Sequence, residues 1–294
     1  MKKRSSSEAP GSSGRLAARP LLAASPRGPT RAFTLIELMI CLSVVFVLTF
    51  LALPVMGAHG ARKTRTIVCM DNLRRLSLAW VQFANDNLEV LPHNFMGDPA
   101  AGKVGWASGW LDWEASGNNT NVAFVIDARY AQLAPYVRGD SSLYRCPEDN
   151  YVSAAQRRKG WKARIRSYSA DMVIGMASAD LPTIARTALV SVTNMSGFIK
   201  PGPAASWVFI EEHPDSINDS SFFVPDPAFG YGWIEVPASH HSSAANVTFG
   251  DGHVEPHFWE SSNTVAKVTF SFPAKARARV NPDIDWLRAH IPTR

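Results

Sequence analysis

The stretch that decides the fold is residues 33–54, FTLIELMICLSVVFVLTFLALP. It opens a run of 21 residues without a formal charge, residues 38–58. At about 1.5 Å per residue, a helix of this length measures about 30 Å, the thickness of a bilayer's hydrocarbon core. Glu37 stands at the start of the run, and a carboxylate in such apolar surroundings needs a positive partner. The sequence therefore predicts a transmembrane helix with a functional glutamate near its beginning.

Two simpler interpretations of this stretch explain less of it. A secretory signal peptide has an apolar core of only about 7–15 residues and no acid inside it, although residues 58–61 could imitate its cleavage site. A plain signal anchor accounts for the length and the basic flank, but it gives no reason for the order Phe-Thr-Leu-Ile-Glu. The position of Glu37 therefore favours a more specific interpretation.

The segment around Phe33 resembles the N-terminus of type IV pilins and type II secretion pseudopilins. It shares with them a basic leader, a small residue (Ala32), the order Phe-Thr-Leu-Ile-Glu and a long apolar helix. The resemblance implies that a prepilin peptidase cuts between Ala32 and Phe33 and methylates the new amine of Phe33. It also implies that Glu37 meets the amine of a neighbouring subunit during assembly, and Pro54 falls where the family has a proline. One departure is Ala32, since the family usually has glycine before the cut.

The basic charge of the chain lies in its first 32 residues. They hold seven lysines and arginines against one acid, so the remaining chain has 23 basic and 24 acidic residues. A basic surface for nucleic acid is therefore not indicated. A basic leader favours retention on the cytoplasmic side. Together with this orientation, the pilin resemblance implies a location in the bacterial inner membrane, with a single pass and a periplasmic C-terminal domain that can be extracted into a periplasmic or surface fibre.

After the membrane segment the apolar residues follow a helical period. Residues at spacings of four, three, four and three form one seam, and they are Cys69, Leu73, Leu76, Trp80 and Phe83. The predicted organisation is a leader at 1–32, a transmembrane and assembly helix at 33–59, an amphipathic helix at 60–87 and a β-rich domain at 88–294. The predicted fold class is α+β and pilin-like, with the long helix packed on a mainly antiparallel sheet and a bend at Pro54.

Within residues 88–294 the local patterns predict several elements. Strands are expected at 167–174 and 207–211, a strand end at 143–147 and a hairpin at 246–255 with Asp251-Gly252 in its turn. Short helices are expected at 127–137 and at 284–291, the second one capped by Asn281. Residues 117–121 and 214–232 are predicted to be loops.

The three cysteines divide by position. Cys41 lies in the apolar helix, whereas Cys69 and Cys146 lie in the predicted exported part, where oxidation is permitted. A disulfide between them would close a loop of 77 residues and stabilise the fold by about 4 kcal/mol through chain entropy. The alternative is two buried free thiols.

A second resemblance involves the C-terminal region. His241, nine intervening residues and Asp251-Gly252 match a His-x9-Asp-Gly signature found in a large class of bacterial prepilin-like proteins. Many of these also have a cysteine near the amphipathic helix, here Cys69, and a later Cys-Pro, here Cys146-Pro147. This resemblance implies the architecture of the protein, but it does not indicate a specific function.

Some polar residues could also bind metal ions. His241, His253 and His257 are candidates for zinc, since imidazole is a common zinc ligand, but a histidine before a hairpin could instead hydrogen-bond a carboxylate such as Asp251. Oxygen-rich loops at 112–121 and 215–226 could bind calcium, and solvated loops explain them equally well. No cofactor is otherwise expected.

The motif search favours a structural role over catalysis. No Gly-x-Ser-x-Gly, His-Glu-x-x-His or phosphate-binding loop is present, and the aromatic stripe at 106–113 suits a core. The predicted function is a pseudopilin-like subunit of a type II secretion or type IV pilus-like fibre. Its expected partners are prepilin peptidase, other pilin-like subunits and an inner-membrane secretion platform. The alternative is a membrane-anchored periplasmic module that binds a ligand and does not polymerise.

Overall fold

The computed structural model describes residues 34–95, 103–181, 190–225, 231–271, 277–278 and 280–293. It divides into two compact units, Met1–Val55 and Met56–Arg294. The predicted leader at 1–32 and the predicted processing and methylation site at Ala32 and Phe33 lie outside the described residues. They therefore stay predictions.

Helix α1 comprises Leu35–Asp86. Within the described part of the chain, no helix combines the length and the apolar character needed to cross a membrane. The predicted transmembrane helix at 33–59 and the predicted single-pass membrane location are contradicted by this finding.

The larger unit is built on a five-stranded sheet. Its strands are β1 (Tyr168–Asp171), β2 (Trp207–Glu211), β3 (Ser221–Phe222), β5 (Ala244–Phe249) and β6 (Val254–Phe258), in the order β3-β1-β2-β5-β6. The pairs β1–β2, β2–β5 and β5–β6 are antiparallel, whereas β1–β3 is parallel. Strands β4 (Tyr231–Gly232) and β7 (Arg277–Ala278) form a separate antiparallel pair.

The sheet centre forms where the sequence is most apolar. All five residues of β2, Trp-Val-Phe-Ile-Glu, are buried, as expected for a strand with neighbours on both sides and covered faces. Trp207 donates from Nε1 to the carbonyl of Leu287, and the ring of Trp106 lies 4.8 Å from that of Phe209. The predicted strand at 207–211 is confirmed.

The second part of α1 belongs to this core. Four residues of the predicted seam are buried, and Phe83 is partly buried against the same core. They are Cys69, Leu73, Leu76 and Trp80. Leu78, which is off the seam, is exposed. The predicted amphipathic seam is confirmed.

The remaining helices are short, and this corrects the predicted pilin-like fold. Two have four and five residues, α2 (Ala123–Ile126) and α3 (Ala154–Arg158). Helix α4 (Pro282–Ala289) has eight residues. Short 3-10 helices supply further turns, at Gly117–Asn119, Ala134–Tyr136, Ser141–Tyr144, Met195–Gly197 and Pro203–Ala205. In the described part of the chain the membrane-spanning half expected of a pilin-like long helix is not found, and the five-stranded sheet combines three antiparallel pairs with one parallel pair.

Local predictions succeeded where a turn or cap signal was present. The Asn281 side chain accepts hydrogen bonds from the backbone of Asp283 and Ile284, so α4 begins where its cap predicts. The hairpin is confirmed as β5–β6, and Gly252 in its turn has φ of 93°. Two predictions were wrong. Residues 127–137 hold only the 3-10 helix Ala134–Tyr136, and the predicted strand end at 143–147 begins inside the 3-10 helix Ser141–Tyr144 and continues as a bend and a turn.

Candidate functional site

Four ligand-type side chains meet in the core of the larger unit. They are Cys69, Cys146, Glu211 and His241, and one potential ligand atom from each lies within 4.8 Å of all the others. Cys69 lies on the buried seam of α1, and Glu211 is the last residue of β2. The other two follow the 3-10 helix Ser141–Tyr144 and precede β5. The group therefore joins four segments that are distant in sequence.

The atoms inside this group are close to one another. The Cys69 thiol lies 3.1 Å from Oε1 of Glu211, and Nε2 of His241 lies 3.0 Å from the same oxygen. Sγ of Cys146 lies 3.4 Å from Nε2 of His241. Side chains of Glu211 and His241 are 0% and 3% exposed, so water does not separate these groups.

Neighbouring polar groups fix the orientation of these four side chains. Oγ1 of Thr66 lies 3.0 Å from Nδ1 of His241, so Nε2 of the same ring is the atom that faces the cluster. The backbone N–H of Asn246 donates to Oε2 of Glu211 at 2.6 Å. The Tyr168 hydroxyl lies 3.2 Å from Sγ of Cys69, and the N–H of Glu148 donates to Sγ of Cys146 at 3.4 Å.

Burial and hydrogen bonding shift the pKa values of Glu211, His241 and Cys146 from their ordinary values. Burial alone would raise the pKa of Glu211, but the hydrogen bond and positive charge of His241 lower it to about 2. Burial alone would lower the pKa of His241, but hydrogen bonds to Cys69 and Glu211 raise it to about 10. Burial raises the pKa of the Cys146 thiol well above its ordinary value. Without a bound cation, the geometry supports an ion pair between Glu211 and His241.

The predicted Cys69–Cys146 disulfide is not formed, since both residues are free cysteines. The reason lies in their partners. The thiol of Cys69 contacts Glu211 and Tyr168, whereas that of Cys146 contacts His241. The sequence correctly indicated that the two cysteines are buried near one another, but the pair belongs to a larger polar group.

The predicted zinc candidates separate in space. Only His241 belongs to the cluster, and its partner is Glu211 rather than the expected Asp251. Asp251 accepts from the backbone N–H of His253 and lies 2.6 Å from its Nδ1, on the exposed hairpin turn that contains Gly252. The ring of His257 stacks on Trp286 at 3.6 Å. His253 and His257 are therefore not placed to share a metal ion with His241.

Carboxylates in both oxygen-rich loops accept hydrogen bonds from the protein itself. Asp112 accepts from Ser116, from Asn119 and from a backbone N–H. Asp215 accepts from the backbone N–H groups of Thr269 and Phe270. Among the described residues, the four-residue cluster is the group with metal-binding geometry, so these loops gain no support as calcium sites.

Near the N-terminus the described contacts of Glu37 are local. Its carboxylate accepts from the backbone N–H and the hydroxyl of Thr34 at 2.9 and 2.7 Å, and the backbone hydrogen bond lowers its pKa. Pro54 lies within the bounds of α1. Cys41 is exposed, one helical turn after Glu37.

Glu211 is the site residue that sequence reasoning missed. It ends an otherwise apolar buried strand and is followed by Glu212-His213. A charged residue closing such a strand, with buried cysteines elsewhere, was the available signal, because buried charges require partners.

Comparisons with protein-family models, curated proteins and solved structures find no match for this chain. The functional argument therefore depends on the residues of this chain and their geometry.

A second set of buried carboxylates has raised pKa values. Burial raises the pKa of Asp171 and of Glu212 to about 8, and that of Asp219 to about 6. Asp171 is 1% exposed, and its Oδ1 accepts from the N–H of Val173. In the folded protein these carboxyl groups stay protonated at pH values where the same groups of the unfolded chain are ionised.

This difference predicts how stability depends on pH. Between about pH 4 and pH 8 the native state binds the Asp171 proton and the unfolded state does not, so stability is present at low pH and falls as pH rises. One group contributes up to about 1.4 kcal/mol per pH unit. Asp171→Asn should therefore reduce the decline in the free energy of unfolding between pH 5 and 7.5, measured by urea titration.

The matched control for this experiment is Asp127→Asn. The pKa of Asp127 is lowered to about 2 by its hydrogen bonds with Arg129, so its substitution should leave the slope above pH 5 unchanged. Equal slopes for the wild type and Asp171→Asn would show that Asp171 is ionised in the folded protein.

Proposed function

We propose that this chain is a structural subunit that assembles with further copies of itself through the first part of α1, as pilin-like subunits do. The observation that carries the proposal is the exposure of an apolar helix on all its faces. Its large apolar side chains between Leu35 and Leu48 are 51–77% exposed. Other copies of the same helix are the occupant we infer for this surface.

The distribution of these residues favours a bundle over a one-sided contact. The exposed apolar positions include consecutive residues 44–48 as well as 35, 36 and 38–40, so no polar stripe remains for solvent. A helix that is apolar all round requires cover all round. A set of parallel copies provides it, because each helix is then surrounded by others of the same character.

Glu37 adds a reason for a specific register. Its described hydrogen bonds are with Thr34, and a carboxylate enclosed by apolar helices is stable only beside a positive group. The N-terminal amine of a neighbouring copy supplies such a charge if the leader is removed before Phe33, as the pilin resemblance implies. Prepilin peptidase is the enzyme we propose for that removal.

Cys41 offers a direct test of assembly. It is exposed and lies four residues after Glu37 on the same helical face, whereas Cys69 and Cys146 are buried. Oxidative crosslinking of the processed full chain should give covalent dimers through Cys41, and Cys41→Ser should remove them. An uncrosslinked monomer that binds lipid vesicles would contradict the proposal and favour a module that does not polymerise.

Glu37→Gln is expected to reduce the yield of Cys41 crosslinks several-fold while leaving the folded domain unchanged. The reason is the loss of the charge that pairs with the neighbour's amine in a dry interface, where such pairs are strong. Glu37→Asp serves as the length control, since it keeps the charge and should retain part of the yield. Equal crosslinking of wild type and Gln variant would exclude an assembly role for Glu37.

A further inference from the structure

We propose that Cys69, Cys146, Glu211 and His241 bind one Zn2+ ion that fastens α1 to the sheet. Two sulfurs, one imidazole nitrogen and one carboxylate oxygen form a donor set that zinc prefers. The four ligand atoms already lie within 4.8 Å of one another. This site is independent of the proposed assembly through the first part of α1.

The observed separations agree with tetrahedral coordination. With zinc–sulfur bonds of about 2.3 Å and zinc–nitrogen or zinc–oxygen bonds of about 2.0–2.1 Å, ligand atoms are separated by roughly 3.3–3.8 Å. The described separations are 3.0 Å between His241 and Glu211, 3.1 Å between Cys69 and Glu211 and 3.4 Å between Cys146 and His241. The other three of the six separations are no longer than 4.8 Å, so shifts of up to about 1 Å would admit the ion.

The donor types select the metal and the role. Thiolates are poor ligands for magnesium and calcium, which prefer oxygen, whereas they bind zinc well. Four protein donors fill a tetrahedral site and leave no position for substrate, as in structural zinc centres. All four residues are buried, which agrees with a structural role.

The surrounding contacts provide the outer layer that zinc sites require. The hydroxyl of Thr66 faces Nδ1 of His241 and can accept a hydrogen bond from Nδ1–H, which directs the Nε2 lone pair to the ion. The N–H groups of Asn246 and Glu148 donate to Oε2 of Glu211 and to Sγ of Cys146, and the Tyr168 hydroxyl lies beside Sγ of Cys69. These donors spread the charge of the anionic ligands.

Charge and proton balance follow from the same residues. On binding, the two thiols and the imidazolium lose their protons to solvent, leaving two thiolates, one carboxylate and a neutral imidazole around a dication. The net charge of the centre is −1, and the three donors described above are directed at it. The ion thus replaces the positive charge that His241 provides to Glu211 in the metal-free state.

The location of the site indicates what the metal does. It connects the seam of α1 with the end of β2 and with two loops, over sequence separations of 77, 65 and 30 residues. A nearby cavity of about 590 Å³ is lined in part by Arg65, Glu148 and His240, each the sequence neighbour or near neighbour of a cluster residue.

The first test is the metal content of the full chain, purified without chelators and measured by mass spectrometry. About one zinc per chain is expected for the wild type and for Cys41→Ser, the matched control. Cys69→Ser and Cys146→Ser should each lose most of the metal. Titration of the reduced, metal-free chain with Co2+ should give thiolate-to-cobalt absorption in the wild type and not in the two variants.

Thr66→Val tests the site without removing a ligand. It retains size and β-branching but loses the hydroxyl that faces His241, and the zinc dissociation constant should rise about 10- to 100-fold. Circular dichroism of each variant verifies that it is folded. A folded wild type that binds neither Zn2+ nor Co2+ with its thiols reduced would overturn the proposal, as would equal zinc affinity for Thr66→Val and wild type.

Discussion

Gly175→Ala is expected to lower the free energy of unfolding by roughly 2–5 kcal/mol. Gly175 has φ of 82°, where a side chain is strained, and an added Cβ would collide with the carbonyl oxygen of Pro92. The backbone cannot withdraw easily, because Gly175 donates to the carbonyl of Val192 and accepts from the N–H of Asn94. Urea unfolding followed by circular dichroism measures the loss.

Gly139→Ala separates the two causes. Gly139 also has positive φ, at 76°, but nothing lies within 4 Å of an added Cβ. Its substitution should therefore cost only the backbone strain, about 1–2 kcal/mol. Equal losses for the two variants would mean that the contact of Gly175 with Pro92 and Asn94 is not as described.

The sequence predicted those parts of the fold that depend on local chemistry. Asn281-Pro282 predicts the start of α4, because an asparagine cap and a proline in the first turn are both helix-start signals. The apolar run of β2 and the Asp-Gly turn between β5 and β6 were predicted for similar reasons. In each case the determining interaction lies within a few residues of the element.

The sequence-based predictions failed where contacts with residues distant in sequence determine the local structure. Residues 127–137 carry helix-forming side chains, but Ala131 forms a bridge with Gly105, and Gln132 donates from its backbone to the Gly105 carbonyl. This pairing with another segment competes with a continuous helix. The charge-free apolar run after Glu37 and the pilin resemblance predicted a bilayer span, but no helix in the described part of the chain has the length and apolar character for one.

The candidate cluster was visible in sequence only as separate parts. The sequence singled out Cys69 and Cys146 as a disulfide, and His241 as part of a signature and as a zinc candidate with His253 and His257. Glu211 joins them because β2 ends beside the seam of α1, and that proximity is a property of the tertiary structure. Spacing along the chain offers no hint of a group whose consecutive members are 30 to 77 residues apart.

Leu76→Ala is expected to destabilise the larger unit by about 2–5 kcal/mol. Leu76 is 0% exposed and belongs to the core cluster that includes residues of the sheet. Its truncation leaves a cavity that the close-packed surroundings fill only in part. The free energy of unfolding, again from urea titration with zinc present, measures the effect.

Leu78→Ala is the matched control, with the same chemistry on the same helix. Leu78 is 54% exposed, and its position two residues from Leu76 places it on the other side of α1. It should change stability by no more than about 0.5 kcal/mol. Equal losses of stability at both positions would mean that α1 has no buried face, and the seam would then not pack against the sheet. A large loss at Leu76 alone means that the second part of α1 is an integral layer of the domain. In that case the zinc centre at Cys69, about two turns earlier on the same seam, joins two elements that packing already holds together.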